Sequence, residues 1–116
     1  MDVGSSARRE TWLWFAQRAS ALVLALCVVV HLVTIIYATR GGLTGVEILA
    51  RTRGNAAWLT FYVVFVLAVA VHVPIGLRTI AIEWLGWRSR VRDWMLIAVA
   101  IALGAMGLAA TWGMFY

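Results

Sequence analysis

Both histidines of this 116-residue chain fall inside long apolar runs. His72 stands in the stretch His72-Val-Pro-Ile-Gly-Leu-Arg78, which continues through Thr79-Ile-Ala-Ile to Glu83 and Trp84. An ionisable side chain in such a run is costly without a partner, so it is a functional candidate by default. Neutral imidazole binds haem iron well, and a metal is the most economical partner for it here. Pro74 lacks an N–H, so it frees a carbonyl and is expected to bend a helix beside the histidine. Gly76 lies four residues after His72, on the same helical face. Its missing bulk lets a flat macrocycle approach, or simply another helix. Arg78 is about 9 Å further along the axis. That distance suits a guanidinium meeting a haem propionate, and equally a boundary arginine that snorkels to the interface.

His31 lies midway along the first apolar run. It can be a haem ligand, a polar contact to a neighbouring subunit, or a buried histidine bonded to a backbone carbonyl. If Arg18 and Glu83 mark one interface, His31 and His72 lie at similar depths, about 19 and 16 Å in. They could then clamp one haem within the chain, or each pair with a histidine from a partner helix. Arg18 and Ser20 open the first span, where they can bind a propionate or a quinone oxygen, or anchor the boundary. Glu83 and Trp84 close the second span on the same side. They can serve proton delivery and hydrogen bonding to a quinone, or merely flank the membrane. Cys27, the single cysteine, reads as a small packing residue. The chain shows no nucleophile elbow, Walker loop, CxxC or intramembrane carboxylate pair. With so few titratable groups, it reads as a cofactor-holding subunit rather than a catalyst alone.

The elements that must position these residues are helices in lipid. The chain is 64% hydrophobic and 13% charged, with a mean hydropathy of +0.91. That is too little polar material to cover a soluble domain. Three apolar runs, at about 19–38, 56–77 and 94–114, the second continuing as helix over 56–83, are long enough to cross a hydrocarbon core of roughly 30 Å. The expected fold is therefore an all-α membrane protein with three transmembrane helices in one domain. Gly41, Gly42 and Gly45 break the chain after the first run, and Thr44 can cap a short helical turn over 46–51. Gly104 and Gly107 permit close packing of the third helix.

All ten basic residues are arginine, and the formal net charge is +5. Arg8, Arg9, Arg18, Arg78, Arg88, Arg90 and Arg92 share one side, against Arg40, Arg51 and Arg53 on the other. The positive-inside rule then predicts a cytoplasmic N-terminus. Trp12, Trp14, Trp84, Trp87 and Trp94 fall near that interface, as an aromatic belt should. The arginines belong to membrane topology rather than to a nucleic-acid surface. No removable signal peptide is expected, because the first apolar run is long enough to span by itself.

The order QRAS at the head of the first helix, then H-x-x-I-G-L-R with an acidic–aromatic pair, then a third helix, resembles the small membrane-anchor subunits of succinate dehydrogenase and fumarate reductase, respiratory complex II. The likeness runs from about Trp12 to Tyr116. It implies that His72 is the axial ligand of haem b, that Arg18 lies near the haem propionates, and that Ser20, Glu83 and Trp84 fall at quinone-contacting positions. Trp84 departs from the tyrosine often found there and has no phenolic proton to lend. Family members with two haems carry a histidine in each of the first two helices, so His31 keeps a second haem open. The resemblance further implies a second cytochrome b anchor forming a helical bundle with this chain. It also implies an iron–sulfur subunit and a flavoprotein, which would hold the iron–sulfur clusters and FAD, in a bacterial-type cytoplasmic membrane. A differently partnered bis-histidine cytochrome b and a cofactor-free structural anchor are the alternatives.

Overall fold

A computed structural model describes residues 3–116. Four helices follow one another: α1 (Val3–Arg40), α2 (Gly45–Thr52), α3 (Ala56–Leu85) and α4 (Arg90–Phe115). The helices α1, α3 and α4 are each long and apolar enough to cross a membrane, so the chain is an integral membrane protein with three spanning helices. Helices suit this solvent because they satisfy their backbone hydrogen bonds internally.

The central helix is α3, which packs against both α1 and α4. Few of the described residues are buried, and the buried apolar ones, Cys27, Ala68, Pro74 and Ala81, are small. Small side chains let helix backbones approach where lipid supplies no hydrophobic drive between helices. The larger side chains, among them Leu22, Leu26, Val33 and Ile101, point outward.

One expected boundary is corrected. α1 starts at Val3 rather than near residue 19, so several helical turns precede the apolar run. Residues 5–18 contain neither Gly nor Pro and are rich in Ala, Arg, Leu, Glu and Gln, which favour helix. Hydropathy marks where lipid begins, not where the helix begins. α3 likewise runs unbroken through Pro74, whose ring is buried.

The connections are closed by local hydrogen bonds. Thr44 and Glu47 form a reciprocal capping box at the start of α2, and Gly45 opens that helix rather than breaking the chain. Thr52 Oγ1 and the Gly54 N–H donate to the carbonyls of Met114 and Phe115, tying the first connection to the end of α4. At the other end Gly86 adopts φ +62°, a left-handed conformation that costs glycine little. The Trp87 N–H then reaches back to the Ala81 carbonyl, and Ser89 caps α4. Arg92, grouped by sequence with the interfacial charges, is buried. It donates from Nη1 to the Trp87 carbonyl and from Nε and Nη2 to Asp93 Oδ1 at 3.0 and 2.6 Å. The guanidinium locks this corner.

Candidate functional site

The antiparallel packing of α1 on α3 gives each histidine a hydroxyl partner across the interface. His72 Nδ1 lies 3.3 Å from Ser20 Oγ, and His31 Nδ1 lies 3.3 Å from the Tyr62 hydroxyl. Both rings are partly buried. The Gln17 carbonyl, one turn back along α1, lies 3.1 Å from the same Ser20 hydroxyl. His31 also packs edge-to-face against Tyr62 and Phe65, at ring-centroid distances of 5.8 and 5.6 Å.

This register overturns the expectation of equal depth. Ser20 marks the level of His72 and Tyr62 the level of His31, so the two imidazoles are about ten residues, or roughly 15 Å, apart along α3. Metal–imidazole bonds are about 2 Å long, so the two rings cannot clamp a single iron. Counting inward from Arg18 and Glu83 misled because these residues are not level. Glu83 projects about eleven residues, or some 16 Å, beyond His72 toward the arginine-rich end.

The same register separates the residues expected to contact quinone. Ser20 engages His72, whereas Glu83 and Trp84 are exposed at the far end of α3, Trp84 to 81%. Within this chain the three do not converge. Arg18 is exposed, with its guanidinium carbon 5.5 Å from the Trp14 ring centroid and no carboxylate partner among the described residues. Arg78 is engaged by Glu10, with Nη2–Oε1 at 2.8 Å and Nη1–Oε2 at 3.4 Å. Gly76 faces α1, where an added Cβ would stand 3.4 Å from Gln17 Nε2. Gln17 Oε1 is buried without a hydrogen-bond partner among the described residues.

His31 borders two clefts. One, of about 620 Å³, is also lined by Thr34, Arg51, Asn55, Trp58 and Tyr62. The other, of about 470 Å³, is lined by Phe65, Val69, Leu103 and Met106. Tyr62 and Gln17 were missed in the sequence. Counting outward from the ends of the first connection places His31, nine residues before Arg40, opposite Phe65, nine after Ala56 and one turn from Tyr62, because residues equidistant from a connection face each other in antiparallel helices.

No cluster of three or more His, Cys, Asp or Glu able to hold a metal ion occurs among the described residues. Each imidazole stands singly, with one nitrogen at a hydroxyl. That donor set fits haem, where the macrocycle supplies the equatorial ligands and the protein supplies axial ones.

The fold and these two positions define a three-span helical membrane protein that presents single imidazoles at two levels within its apolar span. The chain belongs to the succinate dehydrogenase/fumarate reductase transmembrane subunit family, whose pattern matches residues 3–109. It is similar to the succinate dehydrogenase cytochrome b558 subunit of Bacillus subtilis (strain 168), with 28% identity over 114 residues, covering 94% of this chain. The chain spans 56% of that relative's length. No solved structure matches it.

Proposed function

We propose that this chain is the haem b-binding membrane anchor of a succinate:quinone oxidoreductase or quinol:fumarate reductase, with His72 as an axial ligand. The observation that carries the reading is a single imidazole within an apolar span, held at Nδ1 by a neighbouring helix, in a member of this family. The relative named a cytochrome b subunit supports it. His31, about 15 Å away along the axis, would hold a second haem. Because each haem would receive one histidine from this chain, further ligands come from a second cytochrome b anchor that completes the helical bundle.

When bound, the haem supplies a one-electron store beside the route from iron–sulfur clusters to quinone. The chain's own residues hold and tune it. His72 presents a neutral nitrogen in apolar surroundings. Arg18, which has no carboxylate partner among the described residues, would be free to meet a propionate, while Arg78 is committed to Glu10. Glu83 and Trp84 are exposed where quinone and the iron–sulfur subunit would arrive, on the cytoplasmic face of a bacterial-type membrane. The flavoprotein carries FAD and exchanges hydride with succinate or fumarate. This chain anchors the assembly and performs no bond chemistry itself.

The test is a reduced-minus-oxidised visible spectrum of the purified membrane complex, with haem counted per chain, for wild type, His72→Ala and His31→Ala. Two haems predict that each variant loses a different part of the b-type signal. Loss in His72→Ala alone leaves one haem and makes His31 a packing residue. A wild-type complex without haem refutes the cytochrome reading. Copurifying flavin and iron–sulfur subunits separate a complex II anchor from a differently partnered cytochrome b.

A further inference from the structure

We infer that Ser20 is a positioning residue for His72: its hydroxyl fixes which imidazole nitrogen carries the proton and sharpens the donor strength of the other. The inference rests on the proposed haem ligation by His72 and assigns Ser20 to the histidine rather than to quinone. A serine hydroxyl has one proton to donate and lone pairs to accept with. The Gln17 carbonyl at 3.1 Å and His72 Nδ1 at 3.3 Å both lie within reach of Ser20 Oγ, and giving the proton to the carbonyl leaves the oxygen free to accept from Nδ1. In that arrangement Nδ1 bears the hydrogen. In a neutral imidazole this leaves Nε2 as the bare lone pair, the form that a metal takes.

The chain of donors therefore runs from His72 Nδ1–H to Ser20 Oγ–H and on to the Gln17 carbonyl. Each bond polarises the next, an effect strongest where the local dielectric is low. An acceptor at the far nitrogen raises the basicity of a metal-bound histidine and holds its ring orientation. A more basic ligand favours ferric over ferrous iron, so Ser20 lowers the haem potential. Tyr62 does not impose the same order on His31. Its hydroxyl proton has no other acceptor among the described residues, so it can either donate to Nδ1 or accept from it. The two hydroxyls thus differ: Ser20 has a second acceptor for its proton within reach, and Tyr62 has none among the described residues.

The experiment is a potentiometric titration of the intact complex for wild type, Ser20→Ala and Ser20→Thr, with haem counted per chain and the low-spin ferric signal recorded by electron paramagnetic resonance. Threonine keeps a hydroxyl that can bond a carbonyl one turn back. The expected result is that Ser20→Ala retains haem and shifts the ferric:ferrous equilibrium of the His72 component about tenfold toward ferrous, a rise of about 59 mV for a one-electron couple. Ser20→Thr returns the potential and the ferric signal toward wild type. Haem loss in Ser20→Ala that Ser20→Thr restores also supports the hydroxyl role. An unchanged potential and signal in Ser20→Ala overturn the inference while leaving haem ligation intact, as does equal loss of haem in both variants. Absence of haem from wild type overturns the reading beneath it, and the haem count separates that failure from the others.

Discussion

Gly107→Ala is expected to destabilise the α3–α4 pair, whereas Gly104→Ala, three residues away on the same helix, is not. A Cβ built at Gly107 would stand 2.6 and 2.8 Å from the two Val66 methyls and 3.2 Å from Val66 Cβ. Carbon atoms in good contact are about 3.5–4.0 Å apart, so the helices would have to separate by close to an ångström or Val66 would have to turn. Turning is disfavoured because a helical valine has one strongly preferred rotamer. Forcing an extra methyl into a packed interface costs about 1–3 kcal/mol, against about 1 kcal/mol of helix propensity gained on replacing glycine. The net loss is about 0–2 kcal/mol against wild type, and about 1–3 kcal/mol against Gly104→Ala, where the propensity gain is the same. At Gly104 the same Cβ would meet only Ala70 Cβ, at 3.9 Å, an ordinary contact, so the propensity gain stands unopposed. Val66→Ala removes the two methyls closest to the inserted group and should recover most of the loss in the double variant. Reversible unfolding in mixed detergent reads the difference. Equal stability of Gly107→Ala and Gly104→Ala, or no recovery by Val66→Ala, would show that this contact does not set the helix spacing.

Three further predictions follow from single contacts. Arg92→Ala removes a buried guanidinium from the Trp87 carbonyl and Asp93; it should cost about 2–3 kcal/mol and speed trypsin cleavage after Arg88 or Arg90. Arg92→Lys, which lacks the planar fork, should recover only part of that protection. At α2, the backbone N–H of Thr44 first and its hydroxyl second hold the Glu47 carboxylate below the usual carboxylate range. The capping box is therefore at full strength above the unfolded value of about 4.3 and is lost as pH falls through the lower folded value. Amide protection across 45–52, corrected for intrinsic rates, should fall over that acid window in wild type but not in Glu47→Ala. Finally, Tyr62→Phe should alter only the spectral component that His31→Ala removes, read by the same redox titration; a shift in the His72 component instead would contradict the separation of the two levels.

The sequence by itself determined the solvent, the number of spans, the cap at Thr44 and the candidacy of His72. These follow from run length, local hydrogen-bonding chemistry and the cost of an imidazole in lipid, none of which needs a neighbour. The pairing of Ser20 with His72 and of Tyr62 with His31, the Arg78–Glu10 contact and the burial of Arg92 were decided only by tertiary structure. In lipid, an apolar side chain is equally content facing a helix or an acyl chain, so hydropathy carries little information about which face packs or at what register. Arginines reach toward the interface on long stems, so charge boundaries do not mark equal depths. The small residues where α3 meets its neighbours and the lengths of the two connections set the axial register. That register places His31 and His72 at two levels instead of one.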